Sequence, residues 1–109
     1  MDMNELELFS RRLLVALEPV RDLPVNKLMT LLTVAQKQGL TVDDYAKRAG
    51  ISPTTMSRHL LDLGQVDRNQ DAGLGLVEGR VNVTNQRERV YELTAKGRAL
   101  LTKVTGAIR

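Results

Sequence analysis

The sequence has no cysteine, one histidine and only three aromatic residues (Phe9, Tyr45 and Tyr91) among its 109 residues. Without cysteine the chain forms no disulfide and no thiolate metal site, and this composition fits a reducing compartment. His59 alone offers too little for a histidine-rich metal site or a His-relayed catalytic triad. We therefore expect no metal site, and we expect His59 to be packed and hydrogen-bonded rather than to act as a pH switch.

Long apolar runs and targeting signals are also missing. No apolar stretch approaches the roughly 20 residues needed to cross a bilayer. The first residues, MDMNELELFSRR, are acidic and amphipathic, whereas a signal peptide has a basic segment followed by an apolar one. These features predict a cytoplasmic protein with no membrane partner.

Sequence signatures of catalysis and of cofactor binding are absent as well. We find no phosphate-binding glycine loop, no carboxylate pair with a partner and no Ser/His/Asp set. The segment GLGLVEG contains glycines, but it enters a predicted strand instead of opening a helix, so it lacks the geometry of a nucleotide site. We expect no cofactor and no enzymatic activity, and no residue pattern supports a small-molecule effector.

The chain carries a modest net charge of +3, with 42% hydrophobic and 27% charged residues, as is ordinary for a globular protein. Its length predicts a single domain over residues 1–109. The first 40 residues hold five acidic and five basic residues, whereas residues 41–109 hold eight acidic and eleven basic ones, so the whole excess lies there. Such an excess attracts polyanions modestly, although solvated surface charge accounts for it equally well.

Apolar spacing and capping residues predict two helices in the first 40 residues. Asp2, with Glu5 three residues later, begins the first helix, which ends near Pro19. Pro24 suits the first turn of the second helix, and Gly39 stops it. The predicted apolar stripes are Leu6, Phe9, Leu13 and Leu17 in the first helix and Leu28, Leu31, Leu32 and Ala35 in the second.

The next segment, containing YAKRAGISPTTMSRHL, indicates two short helices joined by a tight turn. Thr41 caps a helix over 42–49, and Gly50 permits the left-handed backbone that ends it. Ser52 caps a following helix over 53–63, whose first residue is a proline, where a missing N–H costs nothing. Met56, Leu60 and Leu63 are predicted to face inward, and Thr54, Thr55, Ser57, Arg58 and Asp62 to face outward.

A polar stretch over 65–73 is predicted to be a loop, and two strands follow it. LGLVEGRVNV and RERVYELT are rich in β-branched residues, and the turn formers NVTNQ lie between them, which predicts a hairpin over 76–93. Thr94 then caps a last helix with apolar residues at helical spacing. This order of elements predicts a winged helix-turn-helix, a mainly α fold of about five helices with a two-stranded β-hairpin as the wing.

The outward face of the helix over 53–63 combines short hydrogen-bonding side chains with one guanidinium group. Such groups read base edges or bind phosphate when a helix lies in the major groove of double-stranded DNA. With the wing on flanking DNA, we expect contacts from both elements, although an exposed polar face without a function remains the alternative. The predicted contact residues are Ser52, Thr54, Thr55, Ser57, Arg58, Arg80, Asn85, Gln86, Arg87 and Arg89.

Three segments, ISPTTMSRHLLDL, GLVEGRV and QRERVYELTAKGRALL, together resemble the multiple-antibiotic-resistance-regulator (MarR) family of bacterial transcription factors. The resemblance covers roughly residues 25–104. It implies a winged helix-turn-helix, a homodimer and binding to pseudo-palindromic double-stranded DNA. By this resemblance Ser57 and Arg58 fall on the recognition helix, Arg87 on the wing arginine, and Leu93-Thr94 with Gly97 on the junction to the last helix.

The sequence departs from the family pattern in three places. Asn85 stands where the family usually has an aspartate, the acid that orients the wing arginine. Residues 65–73 look like an insertion between the recognition helix and the wing. The sequence also ends one helix after the wing, whereas the family continues into longer dimerising helices. We expect residues 1–20 and 95–109 to serve as the dimerisation elements.

Several cations have two interpretations. Arg87 is favoured as a DNA contact, while contact and simple solvation are equally supported for Arg80 and Arg89. Lys47 and Arg48, late in the third helix, either stabilise the helix C-terminus or bind phosphate. Local sequence does not decide between these roles.

Two functions from different classes fit the predicted fold. The first is a sequence-specific DNA-binding transcriptional regulator that uses the helix over 53–63 and the wing over 76–93. The second is a winged helix used as a protein–protein interaction module in a replication or recombination complex. The modest net charge and the acids Asp43, Asp44 and Asp62 near the predicted face favour the second interpretation.

Overall fold

The computed structural model describes residues 2–65 and 73–106. In chain order the elements are α1 (Met3–Leu17), a 3₁₀ turn (Glu18–Val20), α2 (Val25–Gln36), β1 (Leu40–Thr41), α3 (Val42–Ala49), α4 (Pro53–Leu63), β2 (Val77–Val81), β3 (Arg89–Leu93) and α5 (Ala95–Gly106). The predicted mainly α winged helix-turn-helix is confirmed. The predicted loop over 65–73, apart from its two end residues, and the predicted end of the last helix lie outside the described residues.

Local side-chain caps and one left-handed residue set the helix boundaries. The side chains of Asp2, Thr41 and Ser52 accept hydrogen bonds from backbone N–H groups in the first turns of α1, α3 and α4. Gly50 follows α3 with a φ of +71°, which a residue with a Cβ adopts only with strain. Since these signals act within a few residues, α3 and α4 begin and end where the sequence predicts.

Within the described residues the sheet has three antiparallel strands in the order β1-β3-β2. The predicted two-stranded wing, β2 and β3, is present, and one further strand pairs with it. The additional strand, Leu40–Thr41, pairs with Tyr91 and Val90 of β3, and the Gly39 N–H donates to the Tyr91 carbonyl at 2.8 Å. A two-residue strand shows no alternation of apolar and polar residues, which is why the sequence pattern missed it. The pairing joins the wing to the start of α3.

The core lies between α2, α3, α4, the base of the wing and α5. Its buried members are Leu31, Val34, Tyr45, Ala46, Met56, Leu60, Leu63, Leu76, Val77, Leu93 and Leu101. Tyr45 ties three elements together, because its hydroxyl lies 2.8 Å from the Lys37 carbonyl oxygen and 3.1 Å from that of Tyr91. The same hydroxyl accepts a hydrogen bond from the Leu40 N–H.

One predicted core position is wrong. Leu32 was expected in the buried stripe of α2, but it is 36% exposed. The helix packs instead through the side that carries Leu28, Leu31 and Val34. One residue turns a helix by about 100°, so Leu32 lies to the side of that contact.

A tight junction connects the wing to α5. The Thr94 hydroxyl accepts a hydrogen bond from the Gly97 N–H at 3.0 Å and donates one to the Gly75 carbonyl at 2.6 Å. A methyl group on Gly97 would overlap the Leu76 carbonyl oxygen, so α5 approaches this closely only with glycine there. Hydrogen bonding thus accounts for Thr94 at this junction, and close packing accounts for Gly97.

α1 lies at the edge of the molecule and leaves most of its apolar side chains exposed. Its main contacts are with the 3₁₀ turn and α5, and of its fifteen residues only Ala16 is buried. The exposed apolar residues of α1 are Met3, Leu8, Phe9, Leu13, Leu14 and Val15. Even so, neither α1 nor any other described helix is long and apolar enough to cross a membrane.

Candidate nucleic-acid interface

The buried side of α4 includes a histidine. Met56, His59, Leu60 and Leu63 are all buried. The His59 Nδ1 lies 3.0 Å from the hydroxyl oxygen of Thr30 on α2, which is also buried. The predicted packed, hydrogen-bonded histidine is confirmed, and this contact helps to fix which side of α4 turns outward.

Asp62, which helical periodicity places on the outward face, is directed elsewhere. Its Oδ2 lies 3.3 Å from the Nζ of Lys27 on α2, and both side chains are largely buried. The lysine stands far earlier in the sequence, so local periodicity could not predict the direction of this carboxylate. Asp62 therefore helps to hold the end of α4 against α2, and the prediction that it faces outward is wrong.

The outward face of α4 begins at a capped N-terminus. The Ser52 hydroxyl accepts a hydrogen bond from the Thr55 N–H at 3.1 Å and donates one to the Thr55 hydroxyl at 3.0 Å. Further along the face Thr54 and Arg58 are exposed and Ser57 is half-buried. This face therefore brings short hydrogen-bonding groups and a guanidinium group together.

Asn85 holds the tip of the wing. The Asn82 N–H donates to the Glu88 carbonyl at 2.9 Å, and the Glu88 N–H donates to the Asn85 carbonyl at 3.0 Å. The Asn85 Oδ1 accepts a hydrogen bond from the backbone N–H of Arg87 at 3.1 Å. Here the asparagine fixes the backbone of the wing arginine, and the side chains of Gln86 and Arg87 are exposed.

The two strand arginines of the wing differ in their surroundings. Arg80 of β2 lies 3.6 Å from Glu92 of β3, in an exposed ion pair of the kind that contributes little in water. Arg89 lines a cleft of about 500 Å³ between α4 and the wing. Within residues 2–65 and 73–106, the guanidinium groups of Arg58, Arg87 and Arg89 form no ion pair with a carboxylate. These three cations remain available to a ligand.

Sequence reasoning missed Leu61, which shares the outward face of α4. It is 42% exposed and lines the same cleft as Arg89. The helical period predicts this position, because Leu61 follows Thr54 by seven residues, almost two turns, and so lies on the same side of α4. Leu61 is in neither the inward nor the outward set of residues predicted for α4.

The remaining sequence candidates lie at the margin of this surface. Lys47 and Arg48 are exposed in the last turn of α3, a position that suits both a helix-terminal cation and a phosphate contact. The described part of the chain holds no group of three or more His, Cys, Asp or Glu side chains arranged to bind a metal ion. The surface formed by the outward face of α4 and the wing therefore presents hydrogen-bonding groups and positive charge to a ligand.

Solved structures share this architecture. The chain aligns with the MarR family transcription regulator SP03579 with a TM-score of 0.68 and 20% sequence identity, over 92% of this chain and 60% of that one. The fold is MarR-like. This chain spans less than two thirds of the length of SP03579. Neither family models nor curated protein sequences give a match to it.

Two further structures extend the comparison. RV1404 from Mycobacterium tuberculosis aligns with a TM-score of 0.77 and 19% identity, over 98% of this chain and 67% of RV1404. A point mutant of S. aureus MepR, bound to an oligodeoxyribonucleotide, aligns with a TM-score of 0.70 and 25% identity, over 95% of this chain and 70% of MepR. The shared fold includes the helix-turn-helix and the wing.

Proposed function

We propose that the protein is a transcriptional regulator that binds double-stranded DNA sequence-specifically and has no enzymatic activity. The observation that carries this proposal is the cleft between α4 and the wing, which Leu61 and Arg89 line from opposite sides. The outward face of α4 and the wing are therefore neighbours, and one duplex can meet both. The unpaired arginines of this surface attract the phosphate backbone.

In this proposal α4 enters the major groove. Arg58 is long enough to bind the O6 and N7 atoms of a guanine, while Thr54 and Ser57 supply short donors and acceptors for base edges. Ser52 and Thr55, which bind each other, lie at the helix N-terminus, where the free N–H groups favour a phosphate.

The wing meets the DNA that flanks this groove. Arg87, at the exposed tip, binds a phosphate or enters the narrow minor groove, with Asn85 and Gln86 beside it. Arg80 and Arg89 lie further down the strands and add positive charge near the backbone. The wing therefore supplies affinity, and α4 supplies most of the sequence preference.

Relatives of the same fold support DNA binding. The structure of the MepR mutant contains an oligodeoxyribonucleotide, and AbfR has been solved bound to DNA in both its reduced and its overoxidized forms. For this chain, DNA binding is inferred from those complexes together with its own unpaired arginines.

We further propose that residues 1–109 act as one domain of a cytoplasmic homodimer, with residues 1–20 and 95–109 in the dimer contact. Phe9 is 61% exposed and Leu14 is 71% exposed, on a helix that barely reaches the core. A monomer rarely leaves so many apolar side chains of one helix open to water. A two-fold dimer would present two α4 helices to one face of the duplex.

Selection from a pool of random duplexes tests the proposed function. We expect enrichment of one sequence with half-sites about 10 base pairs apart, or a multiple of that spacing. Affinity for it should fall steeply as salt is raised. Salt-dependent binding without any enriched sequence would contradict sequence specificity. No binding to any duplex at low salt would contradict DNA binding and favour a protein–protein interaction module.

A further inference from the structure

Leu61 is an apolar side chain on a polar face. It lies almost two turns after Thr54 and almost one turn after Arg58, on the same side of α4. The neighbouring leucines, Leu60 and Leu63, are buried, whereas Leu61 is 42% exposed. Leu61 therefore contributes little to the core, and its side chain is accessible to a ligand in the cleft between α4 and the wing.

Cations stand on both sides of Leu61. Arg58 precedes it on α4, and Arg89 of β3 lines the same cleft, together with one carboxylate, that of Glu78. Neither arginine forms an ion pair within the described ranges, so both attract anions. A ligand that contacts Leu61 and both arginines would combine negative charge with an apolar group. The major groove has this pattern, with phosphates along both rims and methyl groups on its floor.

We propose that Leu61 contacts the C5-methyl group of a thymine and thereby adds selectivity for a T·A pair. This inference rests on the proposed function. Thymine carries the one apolar group that the four bases present in the major groove. With a rise of 1.5 Å per residue, Leu61 lies about 10 Å along α4 from Thr54, so the thymine lies within about three base pairs of those that Thr54 meets.

Deoxyuridine isolates this contact, because it differs from thymidine only by the missing C5-methyl group. The probe is the duplex that the unaltered protein selects from a random pool, resynthesised with deoxyuridine at one thymine of one half-site at a time. One of these replacements should weaken binding by the unaltered protein about three- to fivefold, as expected for loss of one buried methyl group.

Variants assign the effect to the side chain. Leu61→Ala should bind the thymine duplex more weakly than the unaltered protein does. It should bind the uracil duplex as tightly as it binds the thymine duplex. Leu61→Gln keeps a long side chain without the branched apolar end and provides the same test if the alanine variant folds poorly. Leu32→Ala is the matched control, because Leu32 is 36% exposed on α2, and this variant should keep the preference for thymine.

Two results would overturn the proposal while leaving DNA binding intact. In the first, the unaltered protein binds every uracil-substituted duplex as tightly as the thymine duplex. In the second, both Leu61 variants keep the preference for the thymine duplex over the uracil duplex, or Leu32→Ala loses that preference as well. If the unaltered protein selects no duplex at all, the proposed function fails and the thymine contact fails with it.

Discussion

The Nδ1 atom of His59 and the hydroxyl oxygen of Thr30 lie 3.0 Å apart in a buried contact between α4 and α2. The ion pair of Lys27 with Asp62 adds a second link between the same two helices. α2 therefore acts as the support that sets the direction of the outward face of α4. The precision of any base contact depends on these two links, although neither touches the proposed DNA surface.

Replacing Thr30 with valine keeps the size of the side chain and removes its hydroxyl. We expect the free energy of unfolding to fall by about 1–3 kcal/mol, because the Nδ1 of His59 loses this buried partner. Thr33→Val is the matched control, since the Thr33 hydroxyl donates to the Met29 carbonyl within α2 itself, and it should change stability by less than about 0.5 kcal/mol. Urea unfolding measures both; equal changes would mean that the contact does not stabilise the fold.

Gly97→Ala should destabilise the protein by about 1–3 kcal/mol, because the new methyl group meets the Leu76 carbonyl oxygen and forces α5 away from the wing. Gly106→Ala, in the same helix but with open space around its Cα, should be neutral or stabilise by up to about 1 kcal/mol. Thermal unfolding of the two variants compares them directly. A Gly97→Ala protein as stable as its parent would show that α5 does not need this close approach.

Tyr45 should make stability depend on alkaline pH. Burial raises the pKa of its phenol above the ordinary value of 10.0, and the hydrogen bond from the Leu40 N–H opposes this only in part. A raised folded-state pKa means that the unfolded chain releases its proton first. The contribution of Tyr45 is thus complete below about pH 10 and is lost as the pH rises above that value through the raised folded-state pKa.

The Tyr45→Phe variant separates this effect from general alkaline damage. At neutral pH it should lose about 1–3 kcal/mol, because the Lys37 carbonyl and the Leu40 N–H lose a partner. Above about pH 10 its free energy of unfolding should fall less steeply with pH than that of the parent, as measured by urea titrations. Parallel curves would mean that Tyr45 does not titrate differently in the two states.

The proposed dimer should depend on the apolar face of α1. Light scattering of the unaltered protein should give about twice the chain mass of 12.1 kDa. Phe9→Glu should shift the mass to that of one chain, because a charge would be buried in the contact. Val83→Glu, an equal change at an exposed apolar residue of the wing, should leave the mass unchanged. A single-chain mass for the unaltered protein would contradict the dimer.

The helix-turn-helix could be predicted to the residue because its signals are local. Thr41, Gly50 and Ser52 each act on a backbone group within a few positions, so no distant contact was needed to place α3 and α4. The hairpin was predicted for a similar reason, since the turn formers around Asn85 close it within a short stretch of chain.

The errors arise where a distant partner decides the outcome. The strand Leu40–Thr41 exists only because β3 lies beside it, and Asp62 turns inward only because Lys27 of α2 is within reach. Leu61 was assigned to neither face of α4, although its helical position places it on the outward one, where it is exposed. Residue type and periodicity together, applied to Leu61, would have identified an unusual residue on the outward face.

Replacing Arg58 or Arg87 with alanine should change DNA binding in two different ways. Arg58→Ala should weaken the selected duplex far more than a scrambled one, since a bidentate guanine contact contributes about 1–3 kcal/mol of discrimination. Arg87→Ala should weaken both duplexes and flatten the slope of log affinity against log salt by about one unit for each lost phosphate contact. Arg21→Ala, in an exposed pair with Glu18 away from α4, should match the parent.

The most direct test of the proposed DNA-binding surface, α4 and the wing, uses the Arg58→Ala and Arg87→Ala proteins. Their affinities for the selected and the scrambled duplex are measured over a range of salt concentrations, and melting curves show that both variants stay folded. We expect the affinity of Arg58→Ala for the selected duplex to fall close to its affinity for the scrambled one. For Arg87→Ala we expect a smaller slope of log affinity against log salt. If both folded variants bind each duplex as the parent does, at every salt concentration, then α4 and the wing are not the surface that reads DNA.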